Sequence, residues 1–347
     1  MKVLHIIEPS GMGGVEKIVS DLLKISSCEI EIFIAMPDKY LSEFKDLFNI
    51  DKSLNLINMN FDGNKKFGFK RLLEYKRVFK FVNPDIIHTH SRKVCIFTSL
   101  LKGSINHIRT QHMEDSNINI IDKVLLKKKV DLWIATSNRL KNEYLLKNYG
   151  KNISCKYIYN GIKLSNVKSE YTKKNVKQIG FIGRLNKQKG LDLFIPILSK
   201  IENKNFILNI IGEGEEEKTL KSMVYEYGLQ QNIIFHGKKK NVYNELIKLD
   251  CLVLPSRNEG LPLIILESMA CGVPVVSNNV GAIDEVIIHN KNGFLINNDH
   301  EWINILSDIL DDKIDISMIK KNSIETIKLK FNLENMCNEY YETYKLM

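Results

Sequence analysis

The sequence of 347 residues contains no Asp-x-Asp, no Cys-x-x-Cys and no Gly-rich loop ending in Gly-Lys-Ser/Thr. The first absence removes a common carboxylate pair for a catalytic divalent ion. The second removes a zinc or thiol-redox pair, and the third a P-loop nucleotidase. Six cysteines (Cys28, Cys95, Cys155, Cys251, Cys271, Cys337) are scattered, four of them in apolar runs. They read as reduced, buried thiols of a cytosolic protein rather than a disulfide framework. No apolar run is long enough to cross a bilayer. Met1-Lys2 leads straight into apolar Val3–Ile7, so no signal peptide is read. With 44% hydrophobic and 26% charged residues, the composition is that of a soluble globular protein. The net charge of +9 suits phosphorylated small molecules, an anionic membrane face or nucleic acid, and does not choose among them.

What is present is a repeated alternation of short Ile/Val-rich runs with amphipathic stretches. The N-terminal half reads as strands at Val3–Glu8, Ile30–Ala35, Asp85–His88, His107–Thr110 and Leu132–Thr136. Helices are read at Val15–Leu23, Phe69–Phe81, Lys93–Leu101 and Asn138–Lys147. The pattern restarts at Gln178–Ile182, with strands at Phe206–Ile211, Asn232–Phe235, Cys251–Leu254, Val273–Ser277 and Phe294–Ile296 and helices at Leu191–Lys200, Glu215–Tyr227 and Leu263–Ala270. Continuous apolar strands separated by helices predict parallel sheets covered on both faces. The polar stretch Lys163–Asn175 reads as a linker. The expected organisation is an α/β N-terminal domain over 1–165 and a second over 176–330. A C-terminal helix over 331–347 is able to cross back to the first. Met336, Tyr340 and Tyr344 recur on that helix at core spacing. Ligands of such sheets bind at the C-terminal strand ends, which are expected to face a shared cleft.

The segment Pro255–Ser277, PSRNEGLPLIILESMACGVPVVS, carries the most chemistry. Glu259-Gly260 falls in the loop after a strand, and Pro262 is placed to open a helix. Free backbone N–H groups at Leu261, Leu263 and Ile264 would suit a phosphate. Glu267 lies in a helix apolar nearly all round, where a carboxylate needs a partner. Gly272 and Pro274 end the helix. In Gly180–Gly190, GFIGRLNKQKG, the strand end at Gly183 is followed by Arg184 and Lys189, cations suited to a diphosphate. Gly11–Glu16, GMGGVE, resembles a dinucleotide fingerprint but has Glu16 at the third glycine's place. Gly212-Glu213-Gly214 fails likewise, with Glu217 in the last position. Asp85–Ser91, DIIHTHS, brings His88 and His90 to a strand end, and His112 follows the next strand. Metal binding is not expected there, because no third ligand has matching spacing. Asn64–Phe81 carries Lys65, Lys66, Lys70, Arg71, Lys76, Arg77 and Lys80 among aromatic residues, with Glu74 its one acid. It reads either as an anionic-membrane face or as an ordinary surface helix.

Taken together, GMGGVEKIVSDL, DIIHTHS, ATSNRLKN, YNGI, GFIGRLNKQKGLD, IIGEGEE, IIFHG and PSRNEGLPLIILESMACGVPVVSNNVGAIDEVI resemble, in order and over essentially the whole chain, the retaining glycosyltransferases of family 4. The resemblance implies the GT-B fold of two Rossmann-like doubly wound domains. It implies catalytic or charge-stabilising roles for Glu259, Arg184, Lys189 and His90. Donor contacts would come from Gly13, Gly14, Gly183, Gly237, Gly260, Leu261, Pro262, Leu263 and Glu267. Glu259 would face the donor sugar, Glu267 the ribose, Arg184 and Lys189 the diphosphate, Gly13 and Gly14 the phosphates, and His90 the reacting sugar. The Gly237–Lys239 turn would lie near the base. Ala282 stands where the family commonly has a second glycine, and is expected to matter little beside Gly281.

The expected activity is retaining, metal-independent transfer of a hexose or N-acetylhexosamine from a UDP- or GDP-linked donor, by front-face attack. The expected acceptor is a glycan or lipid-linked glycan of a bacterial surface polysaccharide, at the cytoplasmic face of the membrane, with residues 64–81 as a peripheral contact. No cofactor and no nucleic-acid partner is expected. Two other readings stand beside it: an epimerase of the same fold, which would act on donor alone, and a basic nucleic-acid-binding protein, for which no recognised module is present.

Overall fold

The structure is a computed structural model that describes residues 1–9, 11–50, 55–61, 69–115, 118–164 and 176–347. The chain divides into two compact units, Met1–Gly161 with Leu333–Met347, and Ile162–Asn332. Most of the stretch read as a linker, residues 165–175, lies outside the described residues.

The first unit holds strands β1 (Lys2–Ile6), β2 (Glu31–Pro37), β3 (Leu56–Met59), β4 (Ile86–Thr89), β5 (Asn106–Gln111), β6 (Leu132–Ala135) and β7 (Cys155–Tyr157). They form one sheet in the order β3-β2-β1-β4-β5-β6-β7, parallel throughout. Strands β4 and β6 are buried along their whole length, as all-parallel sheets with two covered faces require. Alternate residues of β1 serve the two faces. Leu4 and Ile6 enter a core with Phe33, Tyr75 and Val78. His5 is likewise fully buried, and its register partner on β4 is His88. The C-terminal helix Leu333–Lys345 packs with the helix Gly14–Leu22, and its Met336, Tyr340 and Tyr344 are buried.

The second unit holds β8 (Lys177–Ile182), β9 (Phe206–Ile211), β10 (Ile233–Gly237), β11 (Cys251–Leu254), β12 (Val275–Asn278) and β13 (Phe294–Ile296). Their order is β10-β9-β8-β11-β12-β13, again all parallel. Each sheet changes direction beside its first strand, between β1 and β4 and between β8 and β11. Such switch points leave a crevice at the C-terminal strand ends.

Several elements depart from the sequence reading. β3, β7 and the helices Asp38–Phe48, Ile120–Lys129, Asp299–Leu310 and Ile316–Lys330 are additional. The segment read as an α-helix over 138–147 is wound as wider π turns over Leu140–Leu146. All six cysteines are free, but Cys28 is exposed rather than buried, because it lies in the turn before β2 and not in an apolar run.

Candidate functional site

The loops after β8 and β11, the two strands at the second switch point, are joined by an ion pair. Lys189 Nζ lies 2.7 Å from Glu259 Oε1, and Ser256 Oγ donates to the same oxygen at 2.7 Å. Glu259 is 9% exposed, so it is not the solvated loop residue that a chance glutamate would be. The two loops are also stapled through their backbones. Arg257 N donates to Gln188 O (2.8 Å) and Gln188 Nε2 to Asn258 O (2.9 Å). The Arg257 guanidinium grips Asp192 with both terminal nitrogens, at 2.6 and 2.8 Å. That hydrogen bond holds the Asp192 carboxyl below the usual carboxylate range.

Glycines make the close approach possible. Gly190 adopts φ +73°, and a Cβ there would stand 2.0 Å from Pro255 O. Gly281, at φ +59°, passes the loop on its other side, where a Cβ would stand 1.9 Å from Glu259 O. Ala282 N then donates to Gly260 O at 3.2 Å. Gly212 and Gly214, a failed dinucleotide fingerprint by sequence, have a packing role. Cβ atoms on them would meet Gly183 O at 1.8 Å and Leu185 O at 2.2 Å. Their missing side chains let the Gly183–Leu185 turn rest on the end of β9.

Pro262 is the N-cap of the helix Leu263–Ala270. Among the described residues, the first-turn N–H groups of Leu263 and Ile264 make no hydrogen bond, as expected at a helix start. Leu261 is buried, while Gly260, Pro262 and Leu263 are half-buried. Glu267 sits on this helix at 7% exposure, a buried carboxylate and not a surface charge. Gly272, at φ +69°, ends the helix region as expected. Arg184 is exposed just beyond β8. Gly237, at φ +65°, ends the edge strand β10. Arg184 and Gly260 follow the ends of β8 and β11, and Gly237 closes β10, on the C-terminal sheet edge where Lys189 meets Glu259.

At the first unit's switch point, Gly13 and Gly14 are exposed at the start of the helix Gly14–Leu22. The Gly13 N–H donates to Glu16 Oε2 at 2.9 Å. Glu16, which broke the fingerprint, thus caps its own helix, and this N–H is already spent. His90, beyond β4, is only 7% exposed. Its Nδ1 meets His112 Nε2 at 3.1 Å, and its Nε2 meets His5 Nδ1 at 3.0 Å. The expectation that no third ligand has matching spacing is corrected in one respect. His5, hidden by sequence inside apolar β1, brings a nitrogen within 4.8 Å of theirs. Each ring nitrogen of the three is nevertheless hydrogen-bonded to a protein partner. Burial drives these imidazoles to the neutral form, with His5 pushed down to about 3 and His88 and His90 well below their ordinary value.

Comparisons with known proteins bear on the family and the fold. Residues 12–166 match the model of Glycosyltransferase Family 4, and residues 164–326 that of Glycosyl transferases group 1. An uncharacterised glycosyltransferase of Methanocaldococcus jannaschii is 30% identical over 85% of this chain and 84% of its own. A capsular polysaccharide biosynthesis glycosyltransferase of Staphylococcus aureus is 26% identical over 82% of this chain and 83% of its own. The crystal structure of Anabaena HepE in complex with UDP-glucose superposes with a TM-score of 0.84 at 19% identity, covering 100% of both chains. With two Rossmann-like parallel-sheet domains and both halves matched, the chain belongs to the group 1 glycosyltransferases and has the GT-B fold.

Proposed function

We propose that this transferase moves a hexose or N-acetylhexosamine from a UDP- or GDP-linked donor to a glycan acceptor in polysaccharide biosynthesis. Retention of configuration is part of the proposal. The observation that carries it is the Lys189–Glu259 pair, which sets a cation and a carboxylate side by side at the second unit's switch point. Arg184 and Lys189 would neutralise the departing diphosphate. Glu259 would accept hydrogen bonds from sugar hydroxyls and Glu267 from the ribose. The capsular relative in Staphylococcus aureus and the UDP-glucose complex of the Anabaena protein support the substrate class. A thermal-shift screen of UDP-, GDP- and ADP-sugars, followed by transfer assays on the stabilising donor, tests it. No stabilisation by any nucleotide sugar would refute the reading.

Protein cations in place of an Asp-x-Asp metal pair lead to a second expectation. Transfer should persist in excess EDTA. Loss of activity restored by manganese or magnesium would overturn the metal-independent mechanism.

The acceptor is proposed to be lipid-linked and reached at an anionic membrane surface. No helix among the described residues is long and apolar enough to span a membrane. The motive is the helix Phe69–Val82, where Phe69 and Phe81 are 78% and 70% exposed beside exposed Lys70, Lys76 and Arg77. Residues 64–68 of the basic segment, with Lys65 and Lys66, lie outside the described residues. Arg71 is a correction: it is buried and paired with Glu8 at 2.8 Å, and adds nothing to the surface charge. The helix Ile120–Lys129 adds exposed Ile120, Ile121 and Val124 next to Lys127, Lys128 and Lys129. Each cation near anionic lipid contributes about 1 kcal/mol, fading within a Debye length. Co-sedimentation should therefore be stronger with anionic than with neutral liposomes, and should weaken in high salt. Equal or absent partitioning would remove the membrane claim and leave the transfer claim standing.

A further inference from the structure

Four of the first unit's five histidines form part of a single line of hydrogen bonds, and its far end lies in the C-terminal helix. Tyr340 OH meets Thr110 Oγ1 at 3.1 Å, and Thr110 Oγ1 meets His88 Nε2 at 2.7 Å. His88 Nδ1 meets Tyr344 OH at 2.8 Å, and Tyr344 OH meets His5 Nε2 at 3.2 Å. His5 Nδ1 meets His90 Nε2, and His90 Nδ1 meets His112 Nε2. The line runs from fully buried Tyr340 to half-buried His112.

A neutral imidazole has one N–H and one lone pair, and a hydroxyl has one proton. Every link must then point the same way, so the line has only two self-consistent polarities. The ends decide between them. If the protons pointed toward Tyr340, Thr110 would donate to the phenol oxygen. The phenol's own O–H would then be buried without an acceptor among the described residues. An orphaned buried donor is costly. If they point toward His112, Tyr340 donates to Thr110 and nothing buried is left over. The last N–H, on His112 Nδ1, falls on the one residue of the line that is half-buried rather than buried.

We propose that Tyr340 and Thr110 fix His5, His88, His90 and His112 as Nδ1–H tautomers, so that His112, not His90, offers a free ring N–H at the C-terminal edge of the first sheet. Tyr340, Thr110, Tyr344, His5 and His88 are thereby positioning residues. The low basicity of His112, pushed down to about 4 by burial and then by Arg109, keeps that end neutral as the argument needs. His90 then acts by holding His112, because both of its own ring nitrogens are engaged.

The test is long-range nitrogen–proton NMR of the ligand-free, histidine-labelled protein, which reports each ring's tautomer without any substrate. All four rings should carry the proton on Nδ1, the tautomer that free histidine disfavours. Tyr340→Phe should leave all four rings as Nδ1–H, because the reverse polarity would then strand the buried Thr110 O–H instead. Tyr344→Phe removes the acceptor of the His88 Nδ1–H, so either polarity of His88 strands one buried proton, and a preference of about tenfold should become a near-even mixture at His88 alone. His112→Ala should leave His5 and His88 locked, since the direction is set at the other end. An Nε2–H tautomer at any of the four in the wild type, or an unchanged His88 signal in Tyr344→Phe, overturns the proposal. Failure of the donor screen would instead remove the transfer reading and leave this result in place.

Discussion

Lys189→Met should lose transfer by about 10²- to 10³-fold, the usual cost of removing a group that stabilises developing charge. It should also lose stability. Glu259 Oε1 is shared between Lys189 Nζ and Ser256 Oγ, at 2.7 Å each. Without the lysine, a buried carboxylate keeps one neutral donor. Breaking a buried pair costs about 3 kcal/mol at the low end, and the low end applies because the Lys189 side chain is 18% exposed. The double variant Lys189→Met/Glu259→Gln should recover much of that stability and none of the activity. Arg184→Ala is the contrast. Arg184 is exposed, so its loss should change stability by about 0.5 kcal/mol or less while still slowing transfer. Steady-state kinetics beside thermal unfolding separates the three. Wild-type turnover in Lys189→Met would remove this lysine from the site.

Gly190→Ala should be among the most damaging single methyls in the second unit. A left-handed backbone costs a non-glycine residue about 1–2 kcal/mol. Here the added Cβ would also stand 2.0 Å from Pro255 O. The turn must retreat, and Lys189, the preceding residue, retreats with it. We expect a loss of about 3 kcal/mol or more, together with loss of transfer. Gly228→Ala is the control, since Gly228 has φ +67° and nothing within 4 Å of the added Cβ. It should lose only the backbone term and keep its activity. Equal melting temperatures for the two variants would show that close approach at Pro255 is not what demands the glycine.

The sequence was most legible where local pattern and tertiary role coincide. Cys251–Leu254 reads as an uninterrupted apolar strand because the strand is buried on both faces. Glu267 draws notice because it interrupts an apolar helix, and it is buried. The helix Asp38–Phe48 escaped the reading because only Phe44 on it is buried, leaving a weak stripe. β7 is three residues long and only half-buried, too short for an alternation. The pairing of Lys189 with Glu259 and the insertion of Tyr344 between His5 and His88 join residues far apart in the chain. A local pattern has no means of recording such partners. His5 is the clearest case, since a histidine inside Val3–Ile7 looks like an ordinary interruption of a strand. The Gly212-Glu213-Gly214 pattern was visible, but its meaning depended on Gly183 and Leu185 lying against it.

The first unit is built from two separated stretches of chain, with all of Ile162–Asn332 between them. That order bears on how the protein is made. Synthesis delivers domains from the N-terminus, and the earliest one commonly folds first. Here the earliest unit is the one that has to wait. Its sheet can be translated through β7, yet His5 and His88 stay without the Tyr344 hydroxyl until the helix Leu333–Lys345 emerges. The second unit, contiguous in sequence, is complete before that. A nascent chain halted just before Leu333 should therefore resist protease over residues 176–332 and be cut within 1–161.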